Sequence, residues 1–427
     1  MKINDIWPRL INRLAIVSLQ FSYSLLHLRR TRRFIIQSKS TCISIRGEKN
    51  LLTTVQHRLA SNTAPLAWVH CSSLGEFEQG RPIIERLRKD FPAHKILLTF
   101  FSPSGYEVRK NYAGADYVFY LPFDTPSNAR KWVEVTRPSI AIFVKYEFWF
   151  NFSEEIRKAK IPLISASAIF RRDQIFFKRT GGLFRKILRN FDHLFVQNQS
   201  SAKLLQEIGI TKVTVAGDTR FDRVYEITSS KEKIQVAEQF KSNDKVMVCG
   251  SVWAEDMEVL APFVTETPIK FIIAPHELGE AFLRDIEKAI VGKTLRFSKA
   301  GSQEELDEAK VLLIDNVGML SKLYRYGEFA FVGGGFGKGL HNILEAACYG
   351  IPVFFGNRNY QKFAEANELI MHGGAFEVND FSDLRAKYEM VNTPENFMLA
   401  CDVTRNYVLS NLGATDKIVE YCKKVLH

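Results

Sequence analysis

The sequence predicts an α/β protein of two doubly wound, parallel-sheet domains facing each other across a cleft. Three observations carry this expectation. The chain has 427 residues, 46% of them hydrophobic, which is longer than one core usually organises and rich enough to build two. From about residue 65, strand and helix signals alternate, the pattern of parallel strands joined by crossover helices. Finally, two stretches repeat one design: a buried strand, a glycine turn, and a helix starting beside a glutamate. The first is Leu66-Ala-Trp-Val-His-Cys-Ser-Ser-Leu-Gly75-Glu76, and the second is Phe329-Ala-Phe-Val-Gly-Gly-Gly335-Phe-Gly337-Lys-Gly339-Leu-His341-Asn342-Ile-Leu-Glu345. Such a turn aims backbone N–H groups and a helix N-terminus into the crevice at the carboxyl end of a strand, where anionic ligands settle.

Taken in order, residues 1–45 read as a basic, amphipathic, membrane-associated segment. The first 50 residues hold ten Lys or Arg against Asp5 and Glu48, so +8 of the net charge of +11 sits there. The apolar run from Leu10 to Leu28 is interrupted by Asn12, Arg13 and Gln20, which makes it a poor membrane span. It also lacks the cleavage pattern of a secretory signal. An Arg-flanked helix lying on an anionic leaflet fits it better than a helix packed on its own domain. Residues 46–220 form the first domain, with strands read at 66–72, 95–100, 117–121, 139–144, 162–166 and 193–196. Between them lie helices such as Arg81 to Lys89, whose Ile83, Ile84 and Leu87 make one apolar stripe. Residues 221–427 form the second domain, with strands at 245–250, 270–274, 311–314, 329–332 and 352–355. The six cysteines are scattered, with no C-x-x-C pair and no metal-ligand spacing, as expected for reduced core residues of a cytosolic protein.

The second glycine turn has the chemistry of a nucleotide-sugar site. Gly334 and Gly335, with Gly333, let backbone approach a phosphate, and Lys338 lies in the same loop. His341, Asn342 and Glu345 are read at the start of the following helix, where i, i+4 spacing puts His341 and Glu345 on one face. The Glu345 carboxylate suits a ribose diol. Ser251, His276 and Gly318 end neighbouring strands and are expected to add base and phosphate contacts. In the first domain Glu76 follows Gly75, where an acid can take a proton from a hydroxyl or simply serve the helix dipole. Glu147, in Val144-Lys-Tyr-Glu147-Phe-Trp149-Phe-Asn151, is a carboxylate among aromatics and is either a site residue or a structural acceptor. Ser104 and Gly105 form a further turn lining the cleft. A last stretch, Phe170 to Arg189, interleaves Arg171, Arg172, Lys178, Arg179 and Arg185 with phenylalanines read as exposed, a surface for phosphorylated lipid or for nucleic acid.

These motifs together resemble the 3-deoxy-D-manno-octulosonic acid (Kdo) transferases of lipopolysaccharide assembly. The resemblance rests on Ser73-Leu-Gly75-Glu76, Ser102-Pro103-Ser104-Gly105, Tyr120-Leu-Pro-Phe-Asp124, Glu147-Phe-Trp149, Gly217-Asp-Thr-Arg-Phe221-Asp222, Phe331-Val-Gly-Gly and His341-Asn342-Ile-Leu-Glu345-Ala. It implies a GT-B architecture of two Rossmann-like domains, a CMP-Kdo donor, a lipid A precursor (lipid IVA) as acceptor, and no metal or other cofactor. It further implies monotopic attachment to the cytoplasmic face of the inner membrane, no nucleic-acid partner, and inversion at the anomeric carbon with Glu76 as general base. Glu147, Ser104 and Gly105 would then face the acceptor or transition state. The chain departs from the family pattern at Pro275, where an arginine is common, at Phe150, where a proline is common, and at Arg220, where a lysine is common. Lys338 or Arg220 is expected to supply the missing donor-site charge. The competing readings are another GT-B nucleotide-sugar transferase or epimerase, which gives no reason for the basic N-terminus, and a non-catalytic lipid- or nucleic-acid-binding protein, which gives none for the strand-end acids.

Overall fold

The computed structural model describes residues 41–229, 232–337 and 339–426, residues 41–49 by backbone only. The basic segment 1–45 therefore lies outside the described residues, apart from the first turn of helix α1 (Thr41–Leu59). Among the described residues no helix is long and apolar enough to cross a membrane.

Two seven-stranded sheets follow one another along the chain, and every strand pair in them is parallel. The first comprises β1 (Leu66–His70), β2 (Lys95–Phe100), β3 (Tyr117–Tyr120), β4 (Ile140–Val144), β5 (Leu163–Ala168), β6 (His193–Val196) and β7 (Val213–Val215), in the order 3-2-1-4-5-6-7. The second comprises β8 (Val246–Val252), β9 (Lys270–Pro275), β10 (Thr294–Arg296), β11 (Val311–Leu313), β12 (Phe329–Val332), β13 (Val353–Gly356) and β14 (Ala375–Val378), in the order 10-11-9-8-12-13-14. The expected strands are all present. Three more, β7, β10 and β14, extend the sheet edges; each has only three or four residues, too few to show a pattern in sequence.

Strand order reverses between β1 and β4 in one sheet and between β8 and β12 in the other. Ligands of doubly wound sheets bind at such switch points, outside the carboxyl ends of the strands. Glu76 and Glu147 follow the two strands at the first switch point; at the second, Ser251 lies near the end of β8 and the glycine loop follows β12.

Each sheet is buried on both faces, which is why β4 reads as an unbroken apolar run and β1 as one broken only by its last residue, His70. The largest buried side chains of the first domain, Trp68 and Trp132, pack against each other with ring centroids 5.7 Å apart. The domains are joined by two helices. In α4 (Thr219–Thr228), Phe221 and Val224 enter the second core while Thr219 Oγ1 donates to Gln79 O of the first domain. Residues 414–426, grouped by the sequence reading with the second domain, form helix α6 (Ala414–Leu426), which returns to the first: Ala414, Ile418, Val419 and Cys422 lie in the core under β1 and β4. Asp222 fixes this return by accepting Gly413 N and Thr415 N, both at 2.7 Å.

Candidate active site

At the first switch point β1 runs into helix α2 (Leu74–Asp90). Glu76 stands in its first turn, half-buried, and takes a hydrogen bond from Ser73 Oγ. Ser73 is thereby used on the carboxylate and caps no backbone N–H of α2. The next turn comes from helix α3 (Pro103–Arg109), with Ser102 as its cap and Pro103 at the first position. Ser102 N and Phe101 N both donate to Ser72 O, at 2.7 and 3.1 Å, which ties the two turns together. Gly105 is buried, and a Cβ there would press on the Phe100 ring and come within 3.0 Å of Ser73 backbone; Ser104 is exposed beside it.

Glu147 reaches the same place from β4. Asp124, buried, accepts Asn151 N and Phe152 N at 3.1 and 3.0 Å. It thus fixes the start of the helix just past Trp149. Burial pushes the Asp124 carboxyl up to about 6 in spite of those N–H groups. Glu147 is 8% exposed; its Oε2 accepts Trp149 Nε1–H at 2.7 Å and lies 3.2 Å from His70 Nε2. The Trp149 ring packs tilted against Phe101 and edge-on against His70. The Cys71 thiol beneath the turn is pushed up by burial first and then by the charges of Glu76, Glu147 and Glu78.

The second switch point is built differently from the expectation. His341 and Asn342 precede the helix, which is a single stretch of four residues, Leu344–Ala347. Four residues build almost no macrodipole, and His341 and Glu345 do not share a helix face. Instead the His341 ring stacks with His276, centroids 4.5 Å apart, and His276 stacks on Trp253 at 4.3 Å. Trp253 Nε1 donates to His341 Nε2 at 2.9 Å. Burial, aided by His276, lowers the His341 ring to about 4, so it is neutral. Asn342 Nδ2 donates to Glu345 Oε1 at 3.2 Å. Burial raises Glu345 to about 7; the Asn342 hydrogen bond lowers it, the charge of Glu78 on α2 raises it, and Arg223 on α4 lowers it.

Four glycine amides of the loop are already used within the protein. Gly333 N donates to Gly250 O, Gly334 N to buried Asp256, and Gly337 N and Gly339 N to Gly334 O. The expectation that these N–H groups face a ligand therefore fails for four of the loop's positions. Gly334 and Gly339 have φ of +87° and +123°, and a Cβ on Gly335 would lie 2.5 Å from Gly356 O; these positions need glycine for backbone shape and close approach. Asp256, which the sequence reading passed over, anchors the loop by also accepting Trp253 N at 2.8 Å. Ser251, at φ +53°, and Gly318, at +94° in an exposed turn after β11, lie at the same sheet edge. Lys338 lies outside the described residues. A second lysine, Lys362, is close to the loop: its Nζ is 3.6 Å from where a Cβ of Gly339 would sit.

Two further expectations change. Arg220 is not a spare charge: it bridges Asp218, at 2.8 Å, to Glu365 of helix α5 (Ala364–His372), at 3.0 Å, and these carboxylates hold its guanidinium even further above its ordinary range. The phenylalanines of the basic stretch are not exposed: Phe170 and Phe176 are buried, and Phe177 and Phe184 pack on the same core. Of the cations there, Arg172 pairs with Glu207, Arg185 donates to Phe176 O and Lys178 O, and Arg171 donates to Tyr146 Oη. Lys178 and Arg179 are exposed. Among the described residues no three His, Cys, Asp or Glu side chains cluster as a metal site.

Solved structures share this architecture across most of the chain. A Staphylococcus aureus MnaA–UDP complex covers 85% of this chain and 97% of its own at 13% identity, with a TM-score of 0.57. Acinetobacter baumannii MurG covers 84% and 100% at 10% identity, with a TM-score of 0.53. The fold is thus of the GT-B class, two doubly wound domains around a cleft. A family model described as 3-deoxy-D-manno-octulosonic-acid transferase (kdotransferase) matches residues 48–223. The 3-deoxy-D-manno-octulosonic acid transferase of Aquifex aeolicus (strain VF5) is 30% identical over 328 residues, 75% of this chain and 84% of that protein. That of Rickettsia felis is 24% identical over 382 residues, 86% and 81% of the two chains. The chain belongs to the Kdo transferase family of glycosyltransferases.

Proposed function

We propose that the protein transfers Kdo from CMP-Kdo to a hydroxyl of a lipid A precursor, with inversion, at the cytoplasmic face of the inner membrane. The observation that carries the site assignment is the placement of Glu76 and Glu147 just past β1 and β4, the two strands of the first switch point, with Glu147 Oε2 reaching across to His70 at the end of β1. Donor and acceptor sites then lie on facing sheet edges. In this reading Glu345 binds the ribose of CMP, Asn342 orients that carboxylate, and the Trp253–His276–His341 stack with Ser251 and Gly318 borders the nucleotide.

Glu76 takes the proton of the acceptor hydroxyl as its oxygen bonds to the anomeric carbon. The bond from that carbon to the CMP phosphate breaks, and its electron pair leaves with CMP. Positive charge develops on the sugar ring during this exchange, and the Glu147 carboxylate is placed to stabilise it. Lys338 and Lys362 neutralise the departing phosphate. No resident metal or cofactor takes part in this reading. The exposed Lys178 and Arg179 and the basic segment 1–45 meet the phosphates of the acceptor and the anionic leaflet while the acyl chains stay in the bilayer.

Incubating the purified protein with lipid A precursor and freshly generated CMP-Kdo tests this directly by mass spectrometry. The acceptor should gain the mass of one or more Kdo units, dependent on both substrates. An unmodified acceptor alongside turnover of a UDP-sugar would replace this reading with that of another GT-B enzyme.

A further inference from the structure

His70 ends β1 at the first switch point, is fully buried, and has no part in the chemistry above. Both its ring nitrogens are engaged: Nδ1 lies 2.9 Å from Thr99 Oγ1 and Nε2 lies 3.2 Å from Glu147 Oε2. Thr99, also fully buried, accepts Trp68 Nε1–H at 2.8 Å. An indole N–H can only donate, so the hydroxyl proton of Thr99 remains available for His70 Nδ1. A ring whose Nδ1 accepts carries its proton on Nε2, aimed at Glu147. The opposite tautomer would set the Nε2 lone pair against those of the carboxylate. A doubly protonated ring needs only a turn of the Thr99 hydroxyl, and Glu147 still receives the N–H. With the ring neutral, the chain Trp68, Thr99, His70, Glu147 therefore runs from donor to acceptor in one direction, and all four members are buried.

The two donors to Glu147, His70 and Trp149, both fall on Oε2. Oε1 accepts no hydrogen bond among the described residues. We propose that His70 is the positioning residue for Glu147: the relay from the buried tryptophan pins Oε2 and so presents Oε1 to the reacting sugar. This rests on the reading of Glu147 as a group of the reaction site. Holding a carboxylate by one oxygen leaves the other free to act without reorganisation, which is where electrostatic stabilisation of a transition state gains most.

The test compares His70→Gln, His70→Asn and Thr99→Val with Glu147→Gln in steady-state Kdo transfer. The amide nitrogen of Gln reaches the place of Nε2 and can still donate to Glu147; that of Asn reaches only the place of Nδ1. His70→Gln should keep kcat within about threefold. His70→Asn should lower kcat by about 10–100-fold, the range that outer-shell partners of ligating groups reach, with KM for CMP-Kdo and calorimetric CMP binding unchanged. Thr99→Val, close in shape, should lower kcat in the same sense and decides the matter if His70→Asn fails to fold. Wild-type kcat in both His70→Asn and Thr99→Val, or equal losses in His70→Gln and His70→Asn, would overturn the proposal. Full activity of Glu147→Gln would sink the reading of Glu147 itself, whereas an impaired Glu147→Gln beside active His70 and Thr99 variants sinks the relay alone.

Discussion

The first switch-point turn passes within a few residues from strand to a helix of 17 residues, Leu74–Asp90, and leaves the first-turn N–H groups without a cap from Ser73. In the second, a long irregular loop separates β12 from a helix of four residues, and four glycine amides are taken up by the loop itself, by Asp256 and by Gly250 O of β8. Gly75 is exposed and its missing Cβ would meet only Ser73 Oγ, at 3.7 Å, whereas at Gly333 and Gly335 a Cβ would run into backbone. Two glycine turns at equivalent places in two doubly wound sheets thus do different work. The first keeps a carboxylate and a helix N-terminus open towards the cleft. The second packs backbone on backbone to set an aromatic and carboxylate lining in place.

The largest expected effect tests the first turn as the chemical one. General-base catalysis contributes about 10²–10⁴-fold, so Glu76→Gln, which keeps size and hydrogen bonding, should lower kcat for Kdo transfer by that order. CMP binding by calorimetry should stay at the wild-type value, because the lost interaction forms only in the transition state. Unchanged turnover would remove the distinction between the two turns.

A carboxylate that binds rather than reacts should show itself through its own titration. Burial raises Glu345 to about 7, so it is mostly protonated at pH 6 and mostly ionised at pH 8. A ribose diol donates two hydrogen bonds to the ionised form. Affinity for the nucleoside cytidine, which carries no titrating phosphate, should therefore rise by up to about tenfold between those pH values. Glu345→Gln should bind more weakly at pH 8 and lose the pH dependence. A flat wild-type profile would place the diol elsewhere.

Much of this architecture was legible because both sheets are buried on two faces, which turns each central strand into an apolar run that needs no partner to be recognised. Glu76, Glu147 and Glu345 were legible as acids where a globular core rarely keeps them. What could not be read depends on distant chain segments meeting. Trp253, His276 and His341 stack from three separate loops. Arg220 looked like a spare cation until Glu365, 145 positions later, was seen to claim it. Phe176 looked exposed because its flanking lysine and arginines are, and α6 gives no local sign that its apolar face belongs to the first domain. His70 and Thr99 are hidden inside strands as ordinary core positions; the signal available is a histidine at the end of an otherwise apolar β1.

The smallest effects separate the two kinds of glycine. Alanine at Gly335 has its methyl 2.5 Å from Gly356 O, and the obstacle is backbone of an adjacent strand, which cannot swing aside as a side chain would. Overpacking of this kind costs about 1–3 kcal/mol, and it should appear as a lower thermal unfolding midpoint together with weaker CMP binding. Gly75 lies in the first turn of α2 without a positive φ and with open space around it. Gly75→Ala removes the backbone entropy that glycine brings to the unfolded chain at no steric cost, which is worth about 0.4–1 kcal/mol in favour of the fold. The two substitutions are chemically identical and should shift the midpoint in opposite directions. Destabilisation of similar size at both would mean that Gly75, like Gly335, is held there by close packing, and the contrast between an open first turn and a packed second one would not survive.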